Sequence, residues 1–402
     1  MRVGRMSRAG IALAMAAGGH GAAAEGPIRW RTDALLQAGV EQTVASDPFG
    51  GGVFTVDALE GRLNLVGECD SGWCAGASAV LRPRLALRDT RGGPELAPHP
   101  VAWPEAYALY SSGSTQASIG KRLLGWGPAL AYSPSNRLFP DNGSVSPRHE
   151  VPGKPMATFS TALAQGGQVT AIVAAPRTED LAGQQVGGRF GLVRAEWRSD
   201  DAALSTVGFV AAGGGGLAPY LAAYAQRGLG DAFTVGAEAS VSHRYGAGGR
   251  FDGLAQNSGA TRFDAVANLR YGLASGGELG AELIYNGFAL SDAELANPAV
   301  AAQPSSGRRA GWSRPLHPLV QRRYALAQFT SPSLFGDKRW GLTVRALRGL
   351  DRRSTDAFAE LSWSARDALT LHAGYTRSIA APALAVSRPL RRDLYLMAEV
   401  FF

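Results

Sequence analysis

Apolar and polar residues alternate along most of this 402-residue sequence, and the alternation limits the folds that the chain can adopt. The clearest segment is 231–245, in which one set of alternate residues is apolar and the other is mostly polar. The apolar set is Phe233, Val235, Ala237, Ala239 and Val241, and the polar set is Thr234, Glu238, Ser240, Ser242 and Arg244. Segments 262–273, 278–286 and 368–377 repeat the pattern. Because a strand directs successive side chains to opposite faces whereas a helix would mix the two sets, the pattern predicts β-strands.

The number and spacing of these segments predict a closed sheet. Gly, Pro, Asp, Asn and Ser clusters separate them, and short links alternate with long ones, as in membrane-spanning barrels. Beyond the N-terminal region no apolar run reaches the roughly 18 residues that a transmembrane helix needs. The sequence therefore predicts an all-β fold, a single transmembrane antiparallel β-barrel of about 16–18 strands over residues 25–402. A soluble β-sandwich or propeller is the alternative, and the lack of a repeat motif disfavours the propeller.

The last segment, RRDLYLMAEVFF, has the same alternation and stops on an aromatic residue. It resembles the C-terminal strand of Gram-negative outer-membrane β-barrels, which closes the barrel and is recognised by the barrel-insertion machinery. The resemblance implies an outer-membrane location and contact with outer-membrane lipid and lipopolysaccharide. The residues that would carry the insertion signal are Leu394, Leu396, Val400 and Phe402.

Residues 1–24 have the features of a secretory signal peptide. Arg2, Arg5 and Arg8 precede a short apolar centre, and Ala22, Ala23 and Ala24 offer a small-residue cleavage site before Glu25. Removal of this segment deletes three arginines and no acidic residue, so the formal charge falls from +7 to 7 − 3 = +4. The remaining charge forms no basic block, and we expect no nucleic-acid partner.

The two cysteines, Cys69 and Cys74, lie five positions apart in GECDSGWCAG. In an exported protein, two neighbouring cysteines most simply form a disulfide that closes a tight loop. No further cysteine or histidine lies near them in sequence to complete a metal site, so we expect no metal there.

Segment 120–155 interrupts the alternation. It contains many prolines, which a central strand does not tolerate, together with apolar residues that a plain linker would lack. We predict that it forms a loop folded into the barrel or over one mouth, either narrowing or plugging the lumen. The side chains expected to form this constriction or ligand loop are Trp126, Tyr132, Asn136, Arg137, Phe139 and Asp141.

This segment also carries a family resemblance. GKRLLGWGP followed by SPSNRLFP resembles a motif of porin-like barrels of the alginate-export type, and the WGP pattern is similar to that of capsule surface-assembly barrels. Carried over, the resemblance draws attention to Trp126, Gly127, Pro128, Asn136, Arg137, Pro140 and Asp141. It implies either a channel for small solutes or a barrel that holds a polysaccharide at the outer membrane.

Two interpretations of the polar loop residues remain open. Asn136, Arg137 and Asp141 can hydrogen-bond sugar hydroxyls while Trp126 and Tyr132 stack on a sugar ring. Alternatively, the polar side chains satisfy backbone groups of the loop and fasten it to charges of the wall. We favour the second interpretation because buried polar groups need partners in any case.

Charged residues of the alternating segments are expected to face the lumen, since an arginine in hydrocarbon would cost about 2–4 kcal/mol at mid-depth. Opposed rows of charge in a pore set ion preference, and the excess of arginines predicts a weak preference for anions. The predicted lumen charges are Arg82, Arg84, Arg194, Arg244, Arg262, Arg270, Glu238, Asp264 and Glu282. Aromatic residues near segment ends are expected to form interfacial girdles: Trp30, Trp103, Tyr107, Tyr245, Tyr271, Trp340, Trp363 and Tyr395.

The sequence does not indicate an enzyme. Neither HExxH, a P-loop nor GxSxG occurs, and no histidine lies in a recognisable setting with a nucleophilic serine and an acid or amide. We expect no cofactor. The preferred hypothesis is an outer-membrane porin-like channel for passive passage of small hydrophilic solutes. The alternative is a barrel that binds, anchors or exports a capsular or exopolysaccharide, for which a dense plug would be expected instead of an open lumen.

Overall fold

The protein forms one closed antiparallel β-barrel in a computed structural model. The structure describes residues 28–45, 52–91, 101–140, 142, 151–174, 189–199, 205–214, 217–244, 260–291, 293, 319–334, 336–380 and 390–402. The predicted signal peptide and Asp141 lie outside these residues. No helix within the described part of the chain has the length and apolarity needed to span a bilayer.

Eighteen strands form the wall. They are β1 Ile28–Ala45, β2 Gly52–Cys69, β3 Ala77–Arg91, β4 Val101–Ser112, β5 Thr115–Arg122, β6 Lys154–Ala162, β7 Gly167–Ala174, β8 Phe190–Arg198, β9 Thr206–Gly214, β10 Leu217–Leu229, β11 Phe233–Ser242, β12 Arg262–Gly272, β13 Glu278–Asn286, β14 Arg323–Ser331, β15 Trp340–Gly349, β16 Ser354–Arg366, β17 Leu369–Ala380 and β18 Leu390–Phe401. Each strand pairs with its neighbours in sequence, and β1 pairs with β18 to close the ring. The prediction of an all-β barrel of 16–18 strands is confirmed.

The alternation of the sequence separates the outer from the inner face of the wall. Along β11, Phe233 is 44% exposed on the outer face, whereas Glu238 is 2% exposed on the inner face. Phe263 and Leu371 are likewise exposed outward, and Asp264 is fully buried inside. An apolar exterior and a polar interior are what a barrel needs to lie in a bilayer.

The two ends of the barrel differ in their connections. One end, called here the short-turn end, carries tight links such as 113–114, 163–166, 230–232 and 367–368. Most of the longer links lie at the opposite, long-loop end, among them 123–153, 243–261 and 287–322.

Two links at the short-turn end are fastened locally. Between β2 and β3, Cys69 and Cys74 are joined by a disulfide around a single 3₁₀ turn, Gly72–Cys74. Between β14 and β15, hydrogen bonds from the Arg339 side chain lower the pKa of the Asp337 carboxyl below its ordinary value.

Aromatic pairs lie on the outer face near both ends. Trp340 and Trp363 stack at the short-turn end with ring centroids 5.7 Å apart, and Phe263 stacks on Tyr285 at 4.7 Å near the long-loop end. Two residues expected in these girdles face inward instead. The Tyr395 hydroxyl donates to Glu360, and the Tyr107 ring lies 5.0 Å from the Arg122 guanidinium carbon. Their phenol groups find polar partners in the lumen, so these two girdle assignments were wrong. Tyr245 lies outside the described residues.

Pro83 occupies a break in the wall. The register between β3 and β4 shifts between Arg82 and Arg84, so the proline lies opposite a bulge, where no ladder hydrogen bond is required of it. Beyond the bulge the faces of β4 exchange: Trp103 is exposed outward, and Glu105 is buried inside beside Arg82.

Side chains inside the barrel fasten the seam between β1 and β18. The Gln37 amide donates to Glu399 Oε1 at 2.6 Å, and Glu399 Oε2 lies 3.1 Å from His372 Nε2 on β17. His372 Nδ1 lies 3.4 Å from Glu360 on β16. Four consecutive strands around the closure are thus joined by side chains as well as by the backbone ladder.

Replacement of Gln37 by alanine is expected to weaken this seam. Glu399 would remain buried with one partner fewer, at a cost of about 1–3 kcal/mol in the free energy of unfolding. Urea unfolding of the barrel in lipid vesicles, followed by tryptophan fluorescence, measures this change. Gln42→Ala is the matched control, since Gln42 lies on the same strand but is exposed. Equal stability of the two variants would show that the network does not hold the seam.

Candidate functional site

The link between β5 and β6 folds into the barrel and packs against the inner wall. From residue 126 to 140 nearly every residue is buried; Tyr132 and Leu138 are 0% exposed and Arg137 is 2% exposed. We call residues 126–140 the constriction loop. The described part of segment 120–155 therefore folds into the barrel, as predicted.

Two glutamates of the wall accept hydrogen bonds from the loop backbone. On β11, Glu238 accepts from the amide of Ala129 at 2.8 Å and from the Ser133 and Ser135 hydroxyls at 2.6 and 2.7 Å. On β13, Glu282 accepts from the amides of Leu130 and Ala131 at 2.5 and 3.2 Å. A carboxylate taken out of water needs such donors, and a loop without secondary structure has amides that need acceptors. Each group therefore satisfies the other.

Gly127 permits the loop to approach Glu238 closely. Its φ of +82° is in the left-handed region, and a Cβ at this position would lie 2.3 Å from the Glu238 carboxylate. A side chain here would be strained by its backbone conformation and would also displace the principal acceptor of the loop.

Donors of the wall reach the loop carbonyls. Arg270 Nη2 and Asn268 Nδ2 donate to the Pro128 carbonyl at 2.9 and 3.0 Å, and Arg345 Nη2 donates to the Leu130 carbonyl at 2.8 Å. Strands β11, β12, β13 and β15 thus supply partners for both the backbone amides and the backbone carbonyls of the stretch around Pro128–Ala131.

Arg137 extends from the loop to the wall. Its guanidinium donates to the Ser242 and Ser240 hydroxyls at 2.7 and 3.2 Å and to the Arg244 carbonyl at 3.2 Å. Its central carbon lies 4.8 Å from the Tyr220 ring centroid. A planar guanidinium suits such a site because it can stack and donate at the same time.

The other predicted loop residues also have their contacts within the protein. Trp126 Nε1 donates to the Ser135 carbonyl at 3.1 Å, and the Tyr132 hydroxyl donates to Asp264 at 2.8 Å. Asn136 donates to the Leu124 carbonyl and accepts from the Phe139 amide. The Phe139 ring lies 5.0 Å from Lys154 Nζ. These contacts favour the interpretation in which the polar residues fasten the loop.

The predicted lumen charges fall into two groups. Arg270, Glu238, Asp264 and Glu282 contact the constriction loop directly, as described above. The remaining predicted charges contact other wall residues, the link after β13 or the Trp126 ring. Arg82 pairs with Glu105, Arg84 Nε lies 4.0 Å from Glu60, Arg262 donates to the Gly287 carbonyl, and Arg194 lies 5.4 Å from the Trp126 ring centroid. Arg244 lies two residues beyond the end of β11 and is exposed.

A cavity of about 340 Å³ lies between the start of the constriction loop and strands β8 to β10. Trp126 and Pro128 form its loop side, and Arg194, Arg198, Tyr224 and Gln226 are among its wall residues. Glu196 also lines the cavity, where it pairs with Arg198 at 2.8 Å and accepts from the Tyr224 hydroxyl. The cavity can therefore present cationic groups beside an aromatic ring to a small solute.

Some residues of the lumen were missed at the sequence level. Tyr224 and Gln226 lie on the inner face of β10, where alternation from Tyr220 would have placed them. Arg345 is a charged residue that faces inward from a mostly apolar part of β15. The seam network of Gln37 and Glu399 spans 362 positions in sequence, and no local pattern reveals it.

Among the described residues, no group of three or more His, Cys, Asp or Glu side chains has a geometry suited to a metal ion.

The constriction loop is expected to leave the wall when its two acceptors are removed. In Glu238→Ala/Glu282→Ala, the amides of Ala129, Leu130 and Ala131 lose their partners, and Arg137 becomes accessible. We expect trypsin to cleave the folded double variant after Arg137 at least about tenfold faster than the wild type, since opening that costs about 1.4 kcal/mol less is tenfold more populated. Mass spectrometry of the fragments measures the rate.

Glu278→Ala is the matched control, because Glu278 begins β13, four residues from Glu282. If the double variant and the control resist trypsin equally, the two carboxylates do not hold the loop.

Comparisons with known proteins agree with this architecture. No family model and no curated relative matches the sequence. The fold is similar to that of Pseudomonas aeruginosa OpdK solved with vanillate, with a TM-score of 0.56 and 12% identity over 93% of this chain and 98% of that chain. It is also similar to P. aeruginosa OccK8 (OprE), with a TM-score of 0.58 and 9% identity over 93% and 98% of the two chains. Acinetobacter baumannii OccAB1 has a TM-score of 0.55 and 11% identity over 94% and 98%. OpdK is an outer-membrane protein. At these identities the likeness concerns the fold.

Proposed function

We propose that this protein is an outer-membrane channel of a Gram-negative bacterium through which small hydrophilic solutes pass passively. The observation that carries the proposal is the closed wall of eighteen strands, polar inside and apolar outside, with a loop fastened inside the lumen. A loop held by so many wall contacts is a fixed constriction, which limits the size of what passes.

The described loop contacts support a narrowed lumen. They run chiefly to strands β6 to β15, where the loop forms two apolar clusters with the wall. The inner faces of β16 to β3 carry polar side chains of their own, including Glu360, His372, Gln37 and Arg84. We assign the solute path to the space between those faces and the loop, together with the cavity beside Arg194.

We infer the solute class from the arginines along this path, of which Arg82, Arg84 and Arg198 are paired with glutamates of the wall. Arg194 and Arg198 border the cavity, and Arg82 and Arg84 lie on the inner face of β3. Guanidinium groups bind carboxylates well, because their donors match the two oxygens. Vanillate, the molecule bound in the OpdK structure, is a small aromatic carboxylate. We therefore propose a weak anion preference and small carboxylates as candidate solutes.

We also propose a route by which the protein is exported and inserted. Residues 1–24 would direct secretion, and the barrel-insertion machinery would recognise β18. Leu394 and Leu396 are 49% and 61% exposed on its outer face, and Phe402 is 54% exposed at its end, so these side chains are accessible to a partner.

A polysaccharide-anchoring barrel remains the second candidate, and it rests on the short WGP motif alone. Trp126 and Tyr132, the rings that would stack on a sugar, are 7% and 0% exposed. The geometry thus favours the channel, and it offers no specific observation for the alginate-export or capsule families.

Planar-bilayer recordings test the channel directly. We expect wild-type protein to conduct, and Glu238→Ala/Glu282→Ala to conduct several-fold better because the loop no longer narrows the lumen. Glu278→Ala should match the wild type. Correctly inserted protein that carries no ion current would refute the channel.

Ion selectivity tests the arginine lining. The reversal potential in a tenfold KCl gradient should indicate a mild anion preference, and Arg194→Gln/Arg198→Gln should shift it towards cations, because two positive charges leave the path. Arg366→Gln, which removes an exposed arginine at the short-turn end, is the control. An unchanged reversal potential in the double variant would exclude these arginines from the path.

Tryptophan fluorescence tests the polysaccharide alternative. Trp126 is enclosed, so added alginate or capsular glycan is expected to leave the emission of folded protein unchanged. A glycan-dependent change that disappears in Trp126→Phe would favour anchoring over passage.

A further inference from the structure

Arg377 and Arg392 lie directly opposite each other on the outer face of the wall. They are paired in the ladder between β17 and β18, and both side chains are exposed. Like charges in directly opposed positions destabilise a sheet, so this arrangement needs an anionic partner to become favourable.

No such partner is found in the described part of the chain. Neither arginine forms a hydrogen bond or an ion pair with a described residue. The connection that follows Arg377, residues 381–389, contains no Asp or Glu. Asp393, the neighbour of Arg392, lies on the opposite, inner face of β18.

A third arginine extends the positive surface along the same rim. Arg348 is exposed on the outer face of β15 and donates to the Thr355 hydroxyl at 3.1 Å, so its charge is not neutralised by that contact. Arg348, Arg377 and Arg392 all lie within three residues of the strand ends at the long-loop end of the barrel. We call these three residues the rim arginines.

The surface next to the rim arginines is apolar. Ile379 is 52% exposed. Leu394 and Tyr375 face outward two residues nearer the middle of the wall than the arginines, and they are 49% and 39% exposed. On β15 and β16 the outer face ends at the other rim in the Trp340–Trp363 pair. The ligand that fits cationic groups immediately above an apolar, lipid-facing surface has an anionic head and acyl chains.

We propose that the rim arginines bind the phosphate groups of a phosphorylated lipid of the outer leaflet, of the lipid A class. The inference rests on the outer-membrane location proposed above and goes beyond solute passage. Phosphate oxygens accept from guanidinium groups in bidentate fashion, while the acyl chains lie along Tyr375 and Leu394. The anion neutralises the opposed pair and fixes the orientation of this side of the barrel in the outer leaflet.

Binding of lipid A to the full-length barrel in detergent micelles tests the proposal. Native mass spectrometry or thermophoresis would compare purified lipid A with its dephosphorylated form. We expect Arg377→Gln/Arg392→Gln to weaken lipid A binding about thirtyfold, since two arginines near a membrane surface together contribute about 2 kcal/mol. Arg377→Lys/Arg392→Lys should fall between, because it keeps the charge and loses the bidentate geometry. Arg366→Gln, at the opposite rim, should bind as the wild type does.

Several results would overturn the proposal. Equal affinity of wild type and Arg377→Gln/Arg392→Gln would exclude the rim arginines, and equal binding of dephosphorylated lipid A would show that only the acyl chains are recognised. Displacement of lipid A by millimolar inorganic phosphate would indicate a general anion site. A change of oligomeric state in the double variant, without a change in lipid binding, would indicate a contact between copies.

Two controls keep the outcomes separable. Retention of the compact electrophoretic form of unheated protein shows that each variant is folded, and Arg348→Gln serves as a second variant if the double substitution fails to fold. Channel recordings on the same preparations show whether solute passage fails independently of lipid binding.

Discussion

The structure depends on one requirement: within a bilayer, every backbone amide and carbonyl must find its partner inside the protein. A β-sheet meets this requirement only when its first and last strands pair, and here β1 and β18 do so over most of their length. Closure then divides the side chains into two populations. The outer population is mostly apolar and suits a lipid environment, and the inner one encloses polar groups and opposite charges. The seam network of Gln37, Glu399 and His372 reinforces the single place where the ring is joined by strands from the two ends of the chain.

The constriction loop requires partners of another kind. It has no regular structure, so many of its backbone amides and carbonyls are not paired with each other although they are buried inside the barrel. Ordinary loops leave such groups to water. Here the wall supplies the partners, with carboxylates for the amides of Ala129 to Ala131 and guanidinium or amide donors for the carbonyls of Pro128 and Leu130. Charges that would be costly when buried alone become the anchors of the loop. The same residues therefore hold the loop against the inner wall.

The sequence was informative where the physical cause is local. The two-residue period of segments such as 231–245 follows from strand geometry, so strands and faces could be assigned, and Pro-rich 120–155 could be recognised as a loop. It was uninformative where the cause is distant. The partners of Glu238 and Arg345 lie 109 and 215 positions away, and only the register of the closed barrel brings them together. Tyr107 and Tyr395 were misplaced because a phenol is compatible with both a lipid interface and a polar lumen, and neighbours across the ladder decide between them.

The separation between the loop and its anchors bears on how the barrel assembles. Residues 126–140 precede β11, β13 and β15 in the chain, so their acceptors and donors do not exist as a surface until those strands have paired. Until those strands have paired, the segment has no wall partners on which to dock. Its docking is then a late step with a large loop-closure entropy to overcome, and this slows folding relative to a barrel with local contacts alone. A newly closed barrel would accordingly hold this segment undocked until its contacts with the wall form.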